Sequence, residues 1–229
     1  MTALLTALAS VAFGLALTAL VGGMAGAAGS ERQYARKVFH LGVFSGAVPF
    51  QLLQGFWGVV IYGSVISVLV LAACWHGPGD SLYQALIRTS DGPESRASIL
   101  RPLFSTALGG LLAVLLVGRL AAVGYLVCGW GDAGGEWVGR RWGRHRFSRP
   151  FSGASERRRS LEGSLAVFLL GSLGACVALL ILGYPIAVSW SRGLVCGAVG
   201  AVAEGASSPG SDNFWVQLLP ALSAWWLLG

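Results

Sequence analysis

The chain has 229 residues, of which 55% are apolar and only 11% charged, with a mean hydropathy of +0.68. That much apolar surface excludes a soluble enzyme or binding module and predicts an all-α, polytopic membrane helix bundle folding as one domain over residues 1–229. A net charge of +6 would suggest nucleic acid as a partner in a soluble protein; here loop asymmetry accounts for it, and no nucleic-acid partner is expected.

Taken in chain order, apolar runs of spanning length fall near 4–26, 38–54, 56–75, 98–117, 119–139, 161–183, 186–204 and 213–228. The first is read as a retained helix, because MTALLTALAS lacks the positive start of a signal peptide and Leu4–Met24 is long enough to span. The 38–54 run is short and carries Pro49. Eight crossings put 27–37, 76–97, 140–160 and 205–212 on one side. All of the 16 Lys and Arg residues then fall on that side or just beside it, except Arg119 and Arg192. The positive-inside rule makes it the cytoplasmic side and leaves both termini on the other.

The four cysteines, Cys74, Cys128, Cys176 and Cys196, lie in apolar runs without C-x-x-C spacing. They read as buried small residues, not as a disulfide framework or zinc site. The segment 76–97 is punctuated by Gly and Pro around Leu82, Tyr83, Ala85, Leu86 and Ile87, a short amphipathic stretch able to lie in the interface.

Polar residues gather at the cytoplasmic ends of the runs, which predicts one site. An acid in a span costs about 2.5–3.5 kcal/mol at its centre and persists where it pairs, binds an ion or handles substrate. Asp132 and Glu136 are four apart, so their carboxylates share a helix face. Gly131, Gly135, Gly139 and Gly143 repeat at the same spacing, a smooth strip for another backbone or a ligand. Two such carboxylates can hold Mg²⁺ with phosphate oxygens; alternatively they pair with Arg140 and Arg144 and fix helix packing.

Ser160 is a candidate N-cap for the sixth span, whose N-terminus, preceded by Arg157–Arg159, suits a phosphate. The competing reading is a membrane anchor of basic residues on anionic lipid, and Arg146 reads as ordinary loop charge. Lys37 is the only lysine, next to Arg36 and one turn before His40; an ammonium suits a phosphate oxygen, and His40 can orient a phosphate or move a proton. His76 and His145 read as solvated. Glu204 and Asp212-Asn213 flank a turn around Pro209 that can return both acids to one cavity, with Asp212 as helix cap. No P-loop or Rossmann fingerprint occurs.

Together, RKVFHLG (36–42), GDAGGEWVGRRWGRH (131–145), RSLEGSLAVF (159–168) and AEGASSPGSDN (203–213) resemble the polyprenol kinase family, which includes dolichol, phytol and farnesol kinases and a CTP-dependent diacylglycerol kinase, and more distantly the CDP-diacylglycerol synthases. The motifs occur in family order within residues 31–213. The resemblance implies phosphoryl transfer, usually from CTP with Mg²⁺, to the hydroxyl of a membrane lipid alcohol at the cytoplasmic face. It implies metal ligands at Asp132, Glu162, Glu204 and Asp212. Arg36, Lys37, Glu136, Arg140, Arg159, Ser160 and Asn213 form the expected nucleotide set, and Asp132, His40 and Lys37 the expected catalytic set. Arg159 stands where the family usually has Lys, so a fork replaces a point charge. Diacylglycerol kinase, CDP-lipid cytidylyltransferase and anionic-solute transporter remain the alternatives.

Overall fold

A computed structural model describes residues 2–26, 30–87, 95–147, 159–208 and 210–229. Arg88, Arg149, Arg157, Arg158 and Pro209, invoked above, lie outside the described residues. The described chain is all-α apart from one two-residue antiparallel pair. Its helices are α1 (Thr2–Gly26), α2 (Ser30–His76), α3 (Ser81–Leu86), α4 (Ala97–Val117), α5 (Ala121–Leu126), α6 (Asp132–Trp142), α7 (Leu161–Ile181), α8 (Ile186–Ala206) and α9 (Asp212–Leu228). Five stretches are long and apolar enough to cross a membrane: Thr2–Gly26, Tyr34–Gly79, Ala97–Trp142, Leu161–Ile181 and Ile186–Ala206.

Two of these stretches are 46 residues long, about 69 Å if straight, and neither is straight. In α2 the helix breaks at Gln54 and Gly55, where Gly55 has φ 59°. Only glycine takes that conformation without a steric penalty. Tyr62 Oη then donates to Val43 O at 2.9 Å, across 19 residues that a continuous helix would separate by about 28 Å. The limbs of α2 are therefore an antiparallel hairpin, with the rings of Phe50 and Tyr62 stacked at 4.8 Å. Gly118 repeats the device with φ 55°, and Tyr125 Oη donates to Gly110 O at 2.9 Å. Gln51 Nε2 donates to Gly118 O at 2.8 Å, tying the two reversals together at one end of the bundle. Both breaks fall between apolar runs separated in the sequence reading, at 54/56 and 117/119.

The opposite end carries, among the described residues, 77–87, 95–97, 143–147, 159–160, 207–208 and 210–211, and the candidate site lies there. The short α3 is capped by Asp80, whose carboxylate accepts from Tyr83 N at 3.0 Å. Leu82, Tyr83, Ala85 and Leu86 are buried against α1 and α2. The apolar face of this amphipathic stretch is thus covered by α1 and α2.

Candidate functional site

Two helices bring the first ion-pair network together. Lys37 and His40 sit one turn apart on the first limb of α2, while Asp132 and Glu136 open α6. A π-helical turn, Val127–Gly131, immediately precedes Asp132. Its extra residue rotates α6 by about 100° relative to an unbroken helix, which decides the face that Asp132 presents. Lys37 Nζ pairs with Asp132 Oδ2 and lies 3.0 Å from Glu136 Oε2. His40 Nε2 is 3.2 Å from the same Asp132 oxygen. Arg36 reaches Glu136 Oε2 at 2.5 Å, and Arg140 reaches its Oε1 at 2.7 Å. Glu136 is thus bound by three cations, and the sequence alternative of an Arg140 pair is one part of a larger network. Asp132 Oδ1 has no part in these contacts.

The second network joins α7, α8 and α9. Arg159 forks, pairing with Glu204 through one nitrogen and lying 3.4 Å from Asp212 Oδ2 through another. Glu204 is only 1% exposed, so its charge depends on that partner. Ser160 is the N-cap of α7, its Oγ accepting from Gly163 N at 3.1 Å. Asn213 Nδ2 donates to Thr106 Oγ1 at 2.8 Å, and Phe214 N donates to Ser105 Oγ at 2.9 Å, so two α4 hydroxyls hold the start of α9. The residue at the N-cap of α9 is Ser211, and Asp212 is already helical. One of its carboxylate oxygens lies towards Arg159, and the other accepts from Asn213 N at 3.2 Å.

Both networks line one cavity of about 450 Å³. Arg36, Lys37, His40, Asp132, Glu136, Arg140, Arg159, Ser160, Glu204, Asp212 and Asn213 all face it. Glu162 does not. Its carboxylate accepts from His145 N at 3.2 and 3.3 Å and lies 2.7 Å from His145 Nδ1, at the exposed junction of α6 and α7. His145, read as merely solvated, is the partner in that clasp. Arg146, read as ordinary loop charge, lines the cavity. The antiparallel pairing of Arg146 with Ser160 and of Phe147 with Arg159 draws it in. Thr106, which also lines the cavity, escaped the sequence reading; Cys128, read as a buried small residue, is buried, with its Sγ 3.9 Å from His40 Nε2.

The glycine strip serves the helix contact. A Cβ on Gly139 would come 3.2 Å from Ser160 Oγ, and one on Gly135 would run into Val167. The strip therefore lets α7 approach α6 closely enough to join the two networks, although Gly135 and Gly139 also reach the cavity wall.

The donor set bears on a metal. Among the described residues no three Asp, Glu, His or Cys side chains converge as a ligand group. The cavity carboxylates are held by cationic side chains, Asp132 and Glu136 by Lys37 and Glu204 by Arg159; Mg²⁺ beside a nucleotide in general takes one or two carboxylates and fills its shell with phosphate oxygens and water.

One side of the cavity is apolar. Ile66 and Val70 come from the second limb of α2, Leu86 from α3, and Ile99, Pro102 and Leu103 from α4. The space is thus two-faced, with ionic groups on one wall and hydrocarbon on the other.

No protein-family profile matches the chain, and no solved structure does. Over 142 residues it is 34% identical to a phytol kinase of Synechocystis sp., a match covering 57% of this chain and 58% of that protein. The chain thus spans less than two thirds of that relative's length. Taken with the four motifs, this similarity supports the polyprenol kinase family for the chain.

Proposed function

We propose that the protein transfers the γ-phosphoryl group of CTP to the hydroxyl of an isoprenoid alcohol of the phytol, farnesol or geranylgeraniol type. The observation that carries this reading is the two-faced cavity, in which cations for a triphosphate face an apolar wall for a lipid tail. A triphosphate in water and a prenol in the bilayer can meet only at such a boundary.

The topology that suits this reaction has eight crossings, with the site in the cytoplasmic leaflet and both termini outside. The hairpins at Gly55 and Gly118 divide the two 46-residue stretches, and α9 supplies a 17-residue final crossing. Exposed tryptophans support it by gathering at both ends: Trp57, Trp190, Trp225 and Trp226 at the reversals, and Trp75, Trp142 and Trp215 at the site end. Tryptophan favours both membrane–water interfaces.

Phosphoryl transfer needs positioning and charge neutralisation. Arg36, Arg140 and Arg159, which now hold carboxylates, neutralise nucleotide phosphates together with Arg146. Lys37 supplies a point charge to the transferring group. The alcohol oxygen attacks the γ-phosphorus in line, the bond to the β–γ bridging oxygen breaks, and CDP leaves. Asp132 Oδ1 takes the hydroxyl proton, while Lys37 and His40 fix the carboxylate through Oδ2. Mg²⁺, held by Asp132, or by Glu204 with Asp212, would neutralise charge on the phosphates. Glu162 lies outside this set and clasps the α6–α7 junction. An acceptor panel with CTP and, separately, ATP tests the reading: farnesol, geranylgeraniol, phytol, a long polyprenol and diacylglycerol. Product from diacylglycerol alone would move the acceptor class; product from none would discard the kinase.

A further inference from the structure

Resting on the kinase reading, we propose that Ile66, Val70, Leu86, Ile99 and Leu103 form the site for the first isoprene units of the acceptor. They hold the tail across the bundle and not along its axis. The register of the α2 hairpin carries the argument. The backbone of Gly58 lies against that of Phe50, where a Cβ on the glycine would meet Phe50 O. The antiparallel limb then brings Ile66 level with about Gly42, and Val70 level with about Val38. The apolar wall therefore stands at the same depth as Lys37, His40 and Asp132, beside them.

The path along the axis is closed. Phe44 is buried with its ring 4.6 Å from that of His40, and Gly129 approaches it so closely that a Cβ there would come 2.6 Å from Phe44 Cβ. Beyond it, Val43 is tied to Tyr62. Among the described residues, a chain attached to a hydroxyl at Asp132 is therefore directed sideways, towards Ile66 and Val70 of α2, Leu86 of α3 and Ile99 and Leu103 of α4. The five side chains offer methyl and methylene groups, which suits a branched hydrocarbon; the α4 hydroxyls that also line the cavity are engaged elsewhere, Ser98 Oγ donating to Ser95 O and Thr106 Oγ1 accepting from Asn213 Nδ2. Long tails leave between the helices into lipid, so the site reads the first units and not the far end.

The test uses the full chain in lipid nanodiscs. Val70→Phe narrows the wall, and Val68→Phe makes the same change on the same limb at a position 63% exposed. The expected result is that Val70→Phe raises the KM for farnesol at least about 10-fold, the scale of pocket discrimination by a few carbons. Its nucleotide KM stays within about 2-fold, and Val68→Phe changes neither. In parallel, a farnesol analogue with a diazirine on its first isoprene unit should label residues 66–70 and 99–103, with excess farnesol protecting them. Equal effects of the two variants, or label confined elsewhere, overturn the tail site while leaving a prenol-active kinase intact. Protectable label on the wall without phosphorylation of any prenol would instead overturn the kinase reading and leave the binding site standing.

Discussion

The Lys37 ammonium is bound to the Asp132 carboxylate 95 residues further along the chain, and both residues are buried. The pair joins the first limb of α2 to α6, and it is where the structural and catalytic demands on the cavity meet. Removing one partner of a buried pair leaves an uncompensated charge, whereas replacing both by apolar groups can be neutral. Lys37→Met is accordingly expected to cost about 3–5 kcal/mol of stability, and Lys37→Met with Asp132→Leu to recover most of it without activity. Thermal unfolding in detergent, set beside turnover, checks this. A double variant that remained as unstable as the single one would contradict it.

Asp132→Asn keeps the size of the side chain and removes its charge. With the proton acceptor and a candidate metal ligand lost, kcat is expected to fall at least about 100-fold. Near-normal turnover of the purified variant at saturating Mg²⁺ would contradict the role given to Asp132.

Arg159 holds two acids of two other helices at once. Arg159→Ala is expected to raise the KM for nucleotide at least about 10-fold, with a smaller change for the alcohol. Arg159→Lys, a point charge without the fork, is expected to fall between. Arg146 lines the cavity and cannot serve as a neutral control; Arg192, near the start of α8 at the opposite end, can. Initial-rate kinetics against both substrates discriminate, and an Arg192→Ala variant as impaired as Arg159→Ala would point to generic positive charge.

Ser160→Ala removes the α7 cap. A loss of about 1 kcal/mol in stability is expected, with nucleotide affinity moving more than alcohol affinity because Ser160 also faces the cavity. Gly135→Val should do greater damage, since its side chain meets Val167 and forces α6 away from α7. A loss of about 1–3 kcal/mol, and of activity with it, is the expected outcome. Circular dichroism melts of the purified variants measure both changes.

Much of this arrangement was legible in the sequence. Gly55 and Gly118 fall between apolar runs, so the reversals could be placed without coordinates. The acids and bases of the cavity clustered because ionisable groups are too costly to scatter through hydrocarbon. What escaped depended on register. Arg146 is one arginine in a run of them, and only the pairing of residues 146–147 with 159–160 turns it inward. Thr106 is one hydroxyl in an apolar helix, with no charge to mark it. Glu162 carries the family motif, yet at the first turn of α7 it points to His145 and away from the cavity its neighbours line. Asp212 was read as a cap because Asp favours that position; the helix begins one residue earlier than that reading needs, and Arg159 lies beside the carboxylate.

The central claim is a transfer of phosphorus, and the most direct measurement follows phosphorus. Wild-type protein in nanodiscs would be given geranylgeraniol and CTP labelled differently at the α and γ positions, with Asp132→Asn alongside. The account predicts γ label on the lipid, CDP as the second product, and neither with the variant. Label from the α position on the lipid, with diphosphate released, would contradict it in favour of a cytidylyltransferase. No label on any lipid would contradict it altogether.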